Sequence, residues 1–274
     1  ALVQLESGLD ASGHISFWDC DLLFTGSRSS EPIYHIPHFR VRTRSKSGVH
    51  PFGTGAWRGP GSNTNVFAME SFTDMLAQAA GMDPLSFRLL NLRDERMIRV
   101  LKAAADTSGH PFGKSAHGKG FGIACTNYLN TYVATIAQVA VNASTGEVKV
   151  QRVVCAQDMG EVINPQGAKL QIEGGINMGL GAALFEEIEF QGGKILTKNF
   201  DAYQITRFSD APTVDVVLID NPELAPQGCG EPAITTVGAA LANAIFDAVG
   251  ARVHTLPMTP ERILAALGPS PGEQ

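Results

Sequence analysis

Residues 228–249 read GCGEPAITTVGAALANAIFDAV, and this stretch decides the fold. From Thr236 to Val249 the only charge is Asp247, so the segment predicts a helix buried on nearly every side. Just ahead of it, Gly228 and Gly230 let the backbone come close to a ligand, and Pro232 restrains the chain after Glu231. A carboxylate at such a junction is placed to act as a general base. An acid before a helix also has a simpler role, complementing the positive end of the helix dipole. The segment alone leaves both roles open.

Working outward, the periodicity of the chain is mixed. Leu2 to Leu9 and Ile15 to Phe24 predict a hairpin turning at Asp10-Ala11-Ser12-Gly13. Residues 26–56 read as irregular, rich in Ser, Pro, His and Arg. Asn65 opens a helix, with Val66, Met69, Phe72, Met75, Leu76 and Ala79 at helical spacing and Gly81 as its stop. Asp83-Pro84 starts a second helix and Glu95 a third, which ends near Gly109. Gly120 to Asn127, Tyr132 to Asn142 and Glu147 to Cys155 predict strands. A helix rich in small residues follows from Asn164-Pro165 to about Ala183, then a hairpin over residues 185–197. A strand at Val214 to Ile219 and a last helix at Pro260 to Leu267 complete the pattern. Helices and antiparallel hairpins alternating in blocks predict an α+β fold. The expected division is residues 1–56, a hairpin and an irregular segment, and residues 57–274, the remaining domain.

Composition removes several function classes. The 274 residues carry a formal net charge of −6, with 44% apolar and 18% charged residues. No basic block appears, so nucleic acid is not an expected partner. The uncharged run Phe121 to Gly146 is full of Thr, Asn, Gln and Gly. The run Ala233 to Phe246 is shorter than the roughly 20 residues that cross a bilayer, so the reading is of a soluble chain. The first residues, ALVQLESGLD, lack the basic start and apolar core of a secretion signal. Cys20, Cys125, Cys155 and Cys229 are scattered, and neither they nor His35 and His38 show metal-ligand spacing, so no side-chain metal site is expected.

Two further segments carry chemistry. In Gly53 to Asn63, dense glycine surrounds Arg58, a permanently charged planar fork suited to an anionic group. The spacing matches neither a phosphate-binding P-loop nor a dinucleotide fingerprint, and a glycine-rich turn with a solvated arginine is an equal alternative. In Lys169 to Gly181, small residues let a helix press against another backbone or a flat cofactor, and Gln171 can both donate and accept hydrogen bonds. Tight helix packing is the more ordinary explanation of that stretch.

Together the segments say more. AWRGPGSNTNVFAMESFTDMLAQAAGMDPLSFRLLNL (56–92), VVCAQDMGEVINPQGAKLQIEGGINMGLGAALFEEI (153–188) and GCGEPAITTVGAALANAIFDAVGARVHTLPMTPERI (228–263) occur in this order. They resemble the C-terminal part of the molybdenum-binding subunit of the xanthine oxidase family, in particular the branch of the isoquinoline 1-oxidoreductase β-subunit. The resemblance implies that Glu231 is the base, and that Trp57, Arg58, Gly59, Gln171 and Gly230 lie against the cofactor. It implies a molybdenum cofactor, as molybdopterin or its cytosine dinucleotide form, whose metal is held by the cofactor's own dithiolene. It further implies hydroxylation of an N-heterocycle or oxidation of an aldehyde with oxygen from water, and a partner chain carrying a [2Fe-2S] centre. The family's glycine-rich Gln-Gly segment is not found between Arg58 and Glu231, which stand 173 residues apart, and its first molybdenum domain is also missing. In the isoquinoline branch the Gln-Gly segment lies on the N-terminal side, so the N-terminal portion of the subunit is expected on another chain. Two rivals stand beside this reading: a non-catalytic scaffold or assembly subunit of such a complex, and an unrelated hydrolase using Glu231 with a histidine.

Overall fold

A computed structural model describes residues 1–44, 55–110, 112 and 118–268. Its centre is a four-stranded sheet of order β4-β5-β6-β9, built from β4 (Lys119–Tyr128), β5 (Thr131–Val141), β6 (Val148–Asp158) and β9 (Thr213–Ile219). The first three strands are antiparallel neighbours, and β9 joins β6 in parallel. Side chains alternate across a strand, so each strand feeds two cores. Ala124, Val133, Ala137 and Cys155 pack with α4 (Pro165–Leu184) and α5 (Pro232–Val249). Ile123, Cys125, Ala134, Ile136 and Val154 face the other way. They meet α1 (Ser62–Ala79), α2 (Pro84–Asn91), α3 (Glu95–Ser108) and β2 (Ile15–Leu23). With both faces covered, β5 is apolar or buried along almost its whole length, as a strand inside three layers must be.

The N-terminal hairpin forms as expected: β1 (Leu2–Leu9) pairs antiparallel with β2, and the second core carries Ile15, Trp18, Cys20 and Leu22 of β2. The segment read as irregular contains a strand, β3 (His38–Arg44), parallel to β2. It escaped the sequence reading because its alternation, Phe39, Val41 and Thr43 against Arg40, Arg42 and Arg44, is short and lies on a mostly exposed edge strand. Backbone pairing and charge hold it, with the Arg40 guanidinium on Asp19 and Arg42 and Arg44 on Asp21. The predicted hairpin at 185–197 shrinks to two-residue strands, β7 (Phe190–Gln191) and β8 (Lys194–Ile195). Its apolar residues Ile188, Phe190, Ile195 and Leu196 stay exposed, so no core extends the ladder.

Two helices begin earlier than their apolar patterns. The start of α1 is Ser62, capped by Gly61 at φ 77°, and α5 starts at Pro232, where a first-turn proline loses no hydrogen bond. At 18 residues α5 is long and apolar enough to cross a bilayer by length and composition, contrary to the shorter run read from sequence, but 78% of it is buried inside the fold. α2 begins as predicted, with the Asp83 carboxylate accepting from the Leu85 and Ser86 amides. α6 (Pro260–Leu267) closes the described chain.

Two constraints position the functional loops. The first is the seat of α5 on β4. A side chain at Gly120 would overlap the Ala244 carbonyl and the Ala248 amide, and one at Gly122 the Ala240 carbonyl and the Ala244 amide. Strand and helix backbones are therefore in direct contact. The second is Asp158, fully buried at the end of β6. Its carboxylate accepts from Arg96 at 2.7 Å, Arg99 at 2.9 Å, the Gly160 amide at 3.0 Å and Asn221. That knot holds the turn against which the 221–228 connection lies, with the Gln227 amide on the Met159 carbonyl at 2.7 Å and the Thr131 hydroxyl on the Gly228 carbonyl at 2.8 Å.

Both constraints make predictions. Gly122→Ala should destabilise the fold by about 3 kcal/mol, because neither backbone can yield; a lowered urea midpoint with an unchanged slope would show it. For Asp158, burial pushes the pKa up, but the hydrogen bonds from Arg96, Gly160, Asn221 and Arg99 outweigh burial and bring it from 3.8 to about 2. A depressed carboxylate stabilises above its unfolded pKa and loses that contribution as pH falls through the folded one. The stability gap between wild type and Asp158→Asn should accordingly be full above about pH 4 and close as pH falls toward about 2, read by urea unfolding at a series of pH values.

Candidate active site

The Glu231 carboxylate sits at the N-cap position of α5 but does not cap it; the backbone is in the right-handed region and no side-chain cap bond forms. The carboxylate turns outward to two other elements. Oε1 accepts from the Gly59 backbone amide at 3.2 Å, and Oε2 accepts from the Tyr128 hydroxyl at 2.7 Å. The Tyr128 hydroxyl itself accepts from Arg28 Nη1 at 3.0 Å. The side chain thus contacts two other elements and not the free amides of α5.

Arg58 joins three segments beside this carboxylate. Its Nε donates to the Gly230 carbonyl at 2.7 Å, and Nη2 reaches that carbonyl, the Gln171 carbonyl at 3.0 Å and Gln171 Oε1 at 2.9 Å. Nη1 lies 3.4 Å from Met178 Sδ. The loop before α1, the face of α4 and the start of α5 are thus tied by one guanidinium. Its fork, read from sequence as free for an anion, is occupied by protein oxygens. Gln171 is changed in the same way: its acceptor oxygen is spent on Arg58, which leaves its amide N–H groups for anything bound there. Neither Arg28 nor Arg58 forms a direct ion pair among the described residues, and Arg28 reaches the Glu231 carboxylate through the Tyr128 hydroxyl.

Gly59 needs its missing side chain. It adopts φ +70°, and a Cβ would press on Ile234, Thr235 and Asn63 at 3.0–3.1 Å. The Asn63 amide also braces the loop, its Nδ2 donating to the Arg58 carbonyl at 2.6 Å, while its buried Oδ1 has no partner. Glu231, Gly230, Arg58, Gly59 and Gln171 are therefore brought together from three regions of the chain. Trp57 is not part of that knot. It is 41% exposed and lines an open cleft next door with Thr25, Arg28, Arg44 and Pro60.

Tyr128 and Arg28 were not singled out from sequence. Tyr128 reads as one more strand residue, and Arg28 belongs to a stretch without period. No local sequence signal marks either residue: Leu129 and Asn130, at φ 50° and 67°, form the two-residue turn of the β4–β5 hairpin. His35 and His38 are both exposed, and no group of three His, Cys, Asp or Glu side chains is placed to hold a metal among the described residues.

Comparison with known proteins identifies the family. Two family models described as molybdopterin cofactor-binding domain match residues 9–92 and 71–212. The first match contains Trp57, Arg58 and Gly59 and the second Gln171; Glu231 lies beyond both. The chain is 34% identical, over 97% of its length, to a subunit of nicotinate dehydrogenase from Pseudomonas putida. It is 35% identical, over 74% of its length, to the β-subunit of isoquinoline 1-oxidoreductase from Brevundimonas diminuta. It spans 26% of each of those two relatives. The fold superposes on aldehyde oxidoreductase from Desulfovibrio gigas with a TM-score of 0.80 at 18% identity, covering 97% of this chain and 49% of that one. Quinoline 2-oxidoreductase from Pseudomonas putida superposes with a TM-score of 0.81 at 14% identity, covering 99% and 62%. The mixed helix-and-sheet architecture expected from sequence is the architecture of these molybdenum enzymes. The chain belongs to the molybdopterin cofactor-binding family, as part of a xanthine-oxidase-type molybdenum-binding subunit.

Proposed function

We propose that this chain supplies the base and part of the cofactor cradle of an oxidoreductase acting on an aldehyde or an N-heterocycle, with oxygen drawn from water. The observation that carries the reading is the Glu231 carboxylate, turned away from its own helix and held by the Gly59 amide and the Tyr128 hydroxyl beside the Arg58 knot. A carboxylate with two of its roughly four lone-pair directions used keeps the others to accept a proton. Relatives of the chain are named for both substrate classes: nicotinate, isoquinoline and aldehyde.

The residues present fit a molybdenum cofactor. No cluster of metal-ligating side chains stands at the site among the described residues, which suits a metal that arrives with its own dithiolene ligands. Gly228 has open space where a side chain would stand, and Gly230 meets only Gln171 Oε1, at 3.5 Å, so a flat group can approach this backbone closely. The Gln171 amide offers donors for a pterin edge, with Gly59, Gly230 and Arg58 shaping the wall and Trp57 at the neighbouring cleft. Bound there, the cofactor supplies the two-electron redox centre. Glu231 takes up the proton released during oxidation, with Arg28 and Arg58 standing beside it.

The cofactor is molybdopterin or its cytosine dinucleotide form. A redox centre reduced in each turnover has to be reoxidised, and that task falls to an iron–sulfur partner carrying a [2Fe-2S] centre. The relatives extend well beyond the matched part, and the rest of the molybdenum-binding subunit completes the cradle.

Glu231→Gln should lower kcat by about 10²–10⁴-fold with molybdenum content unchanged. Turnover near that of wild type would overturn the assignment. Arg58→Lys keeps the charge but loses the planar fork that spans Gly230 and Gln171. It should lower the molybdenum content of the purified enzyme, measured by elemental analysis, and wild-type content would show that the knot is not part of the cradle.

A further inference from the structure

We propose that Tyr128 is a positioning residue for Glu231, with its hydroxyl aimed by Arg28. The inference rests on Glu231 being the base and adds two side chains to its surroundings. Tyr128 is the last residue of β4, only 3% exposed, and its hydroxyl lies 2.7 Å from Glu231 Oε2 and 3.0 Å from Arg28 Nη1. A guanidinium has donors and no acceptor. The phenol must therefore turn a lone pair toward Arg28, and its hydrogen is left for Glu231. The direction of the hydrogen bond is set by chemistry.

The consequence is a choice between two orientations of one carboxylate. A carboxylate beside a helix start has the free amides of that helix as one possible set of donors. Glu231 does not use them, although the first-turn amides of α5 are adjacent. Two donors from elsewhere, the Gly59 amide and the Tyr128 hydroxyl, hold one oxygen each and so fix the plane of the group. Gly59 alone holds a single oxygen and leaves the carboxylate free to rotate about that contact. Tyr128 is the second point that prevents it.

The charged groups facing the phenol are Glu231, from the start of α5, and Arg28, from the β2–β3 connection. They act on it in opposite senses. Burial and the neighbouring Glu231 carboxylate raise the Tyr128 pKa above its usual value, while the Arg28 hydrogen bond and charge lower it.

Tyr128→Phe keeps the ring and removes only the hydroxyl. In the intact enzyme kcat should fall about ten- to a hundredfold, the worth of a hydrogen bond to a charged group. KM and molybdenum content should stay the same. In the Glu231→Gln background the same change should have no further effect, since the pair acts as a unit. A second readout does not depend on turnover. Tyr128 ionisation can be followed by tyrosinate absorbance in the cofactor-free protein, with the Tyr128→Phe curve subtracted. Its midpoint should fall in Glu231→Gln and rise in Arg28→Gln. Unchanged kcat in Tyr128→Phe, or a midpoint indifferent to Glu231→Gln, would overturn the proposal. Retained turnover in Glu231→Gln would instead remove the base assignment, while the titration would still report whether phenol and carboxylate are coupled.

Discussion

Contact between the β4 and α5 backbones governs this structure. Gly120 and Gly122 leave no side chain between strand and helix, and Ala240, Ala244 and Ala248 present the matching small face on α5. Close approach of this kind fixes the translation of the helix along the strand, because any slip drives a methyl group into a carbonyl. The two elements run in opposite directions, since Gly122 meets Ala240 and Gly120 meets Ala248. From Gly122 to Tyr128 the strand advances about 20 Å. From the middle of the Ala240–Ala244 contact back to Glu231 the helix advances about 17 Å. The end of the strand and the start of the helix therefore arrive at the same place, and a hydroxyl and a carboxylate meet there. The geometry of the acid follows from a pair of glycines about 20 Å away along the strand.

At that place two guanidinium groups stand near one carboxylate. Arg58 and Arg28 approach Glu231 from two loops, and neither is neutralised by a carboxylate of its own among the described residues. Arg58 spends its donors on carbonyl oxygens, which ties the loops together without cancelling its charge. Elsewhere the protein treats buried charge differently. Glu70 on α1 is met by Arg88 at 3.0 Å, the Tyr34 hydroxyl at 2.6 Å and the Cys125 amide at 2.9 Å. Asp74 is met by Arg252 at 3.0 Å. Those groups are matched because burying an unpaired charge is expensive. Arg28 lies at the surface, where solvent screens its charge.

Element boundaries show which signals were readable. The helices with side-chain caps or glycine stops, α2 at Asp83 and α3 ending at Gly109, lie where their local chemistry put them. α1 starts earlier than its apolar run because Gly61 turns the chain into the helix, and α5 because Pro232 fits a first helical turn and Pro232 to Thr235 are buried. β3 was hard to read because it is short and mostly exposed, with Val41 alone of its apolar residues packed against the core and ion pairs to β2 holding the rest. Among the site residues, Glu231, Arg58, Gly59 and Gln171 stood in recognisable glycine-rich settings. Tyr128 and Arg28 had no such setting, since a tyrosine ending a strand and an arginine in an aperiodic stretch are ordinary.

What the sequence by itself determined is therefore local: periodicities, caps, glycine positions, and the family resemblance of three separated segments. Each depends on residues close together in the chain or on a pattern retained within a segment. Only the tertiary structure decided which way the Glu231 carboxylate faces, that the Arg58 fork is filled by carbonyls, and that a strand-end tyrosine completes the site. Those contacts join residues between 100 and 172 positions apart, and their geometry exists only after backbone packing has brought helix and strand into register.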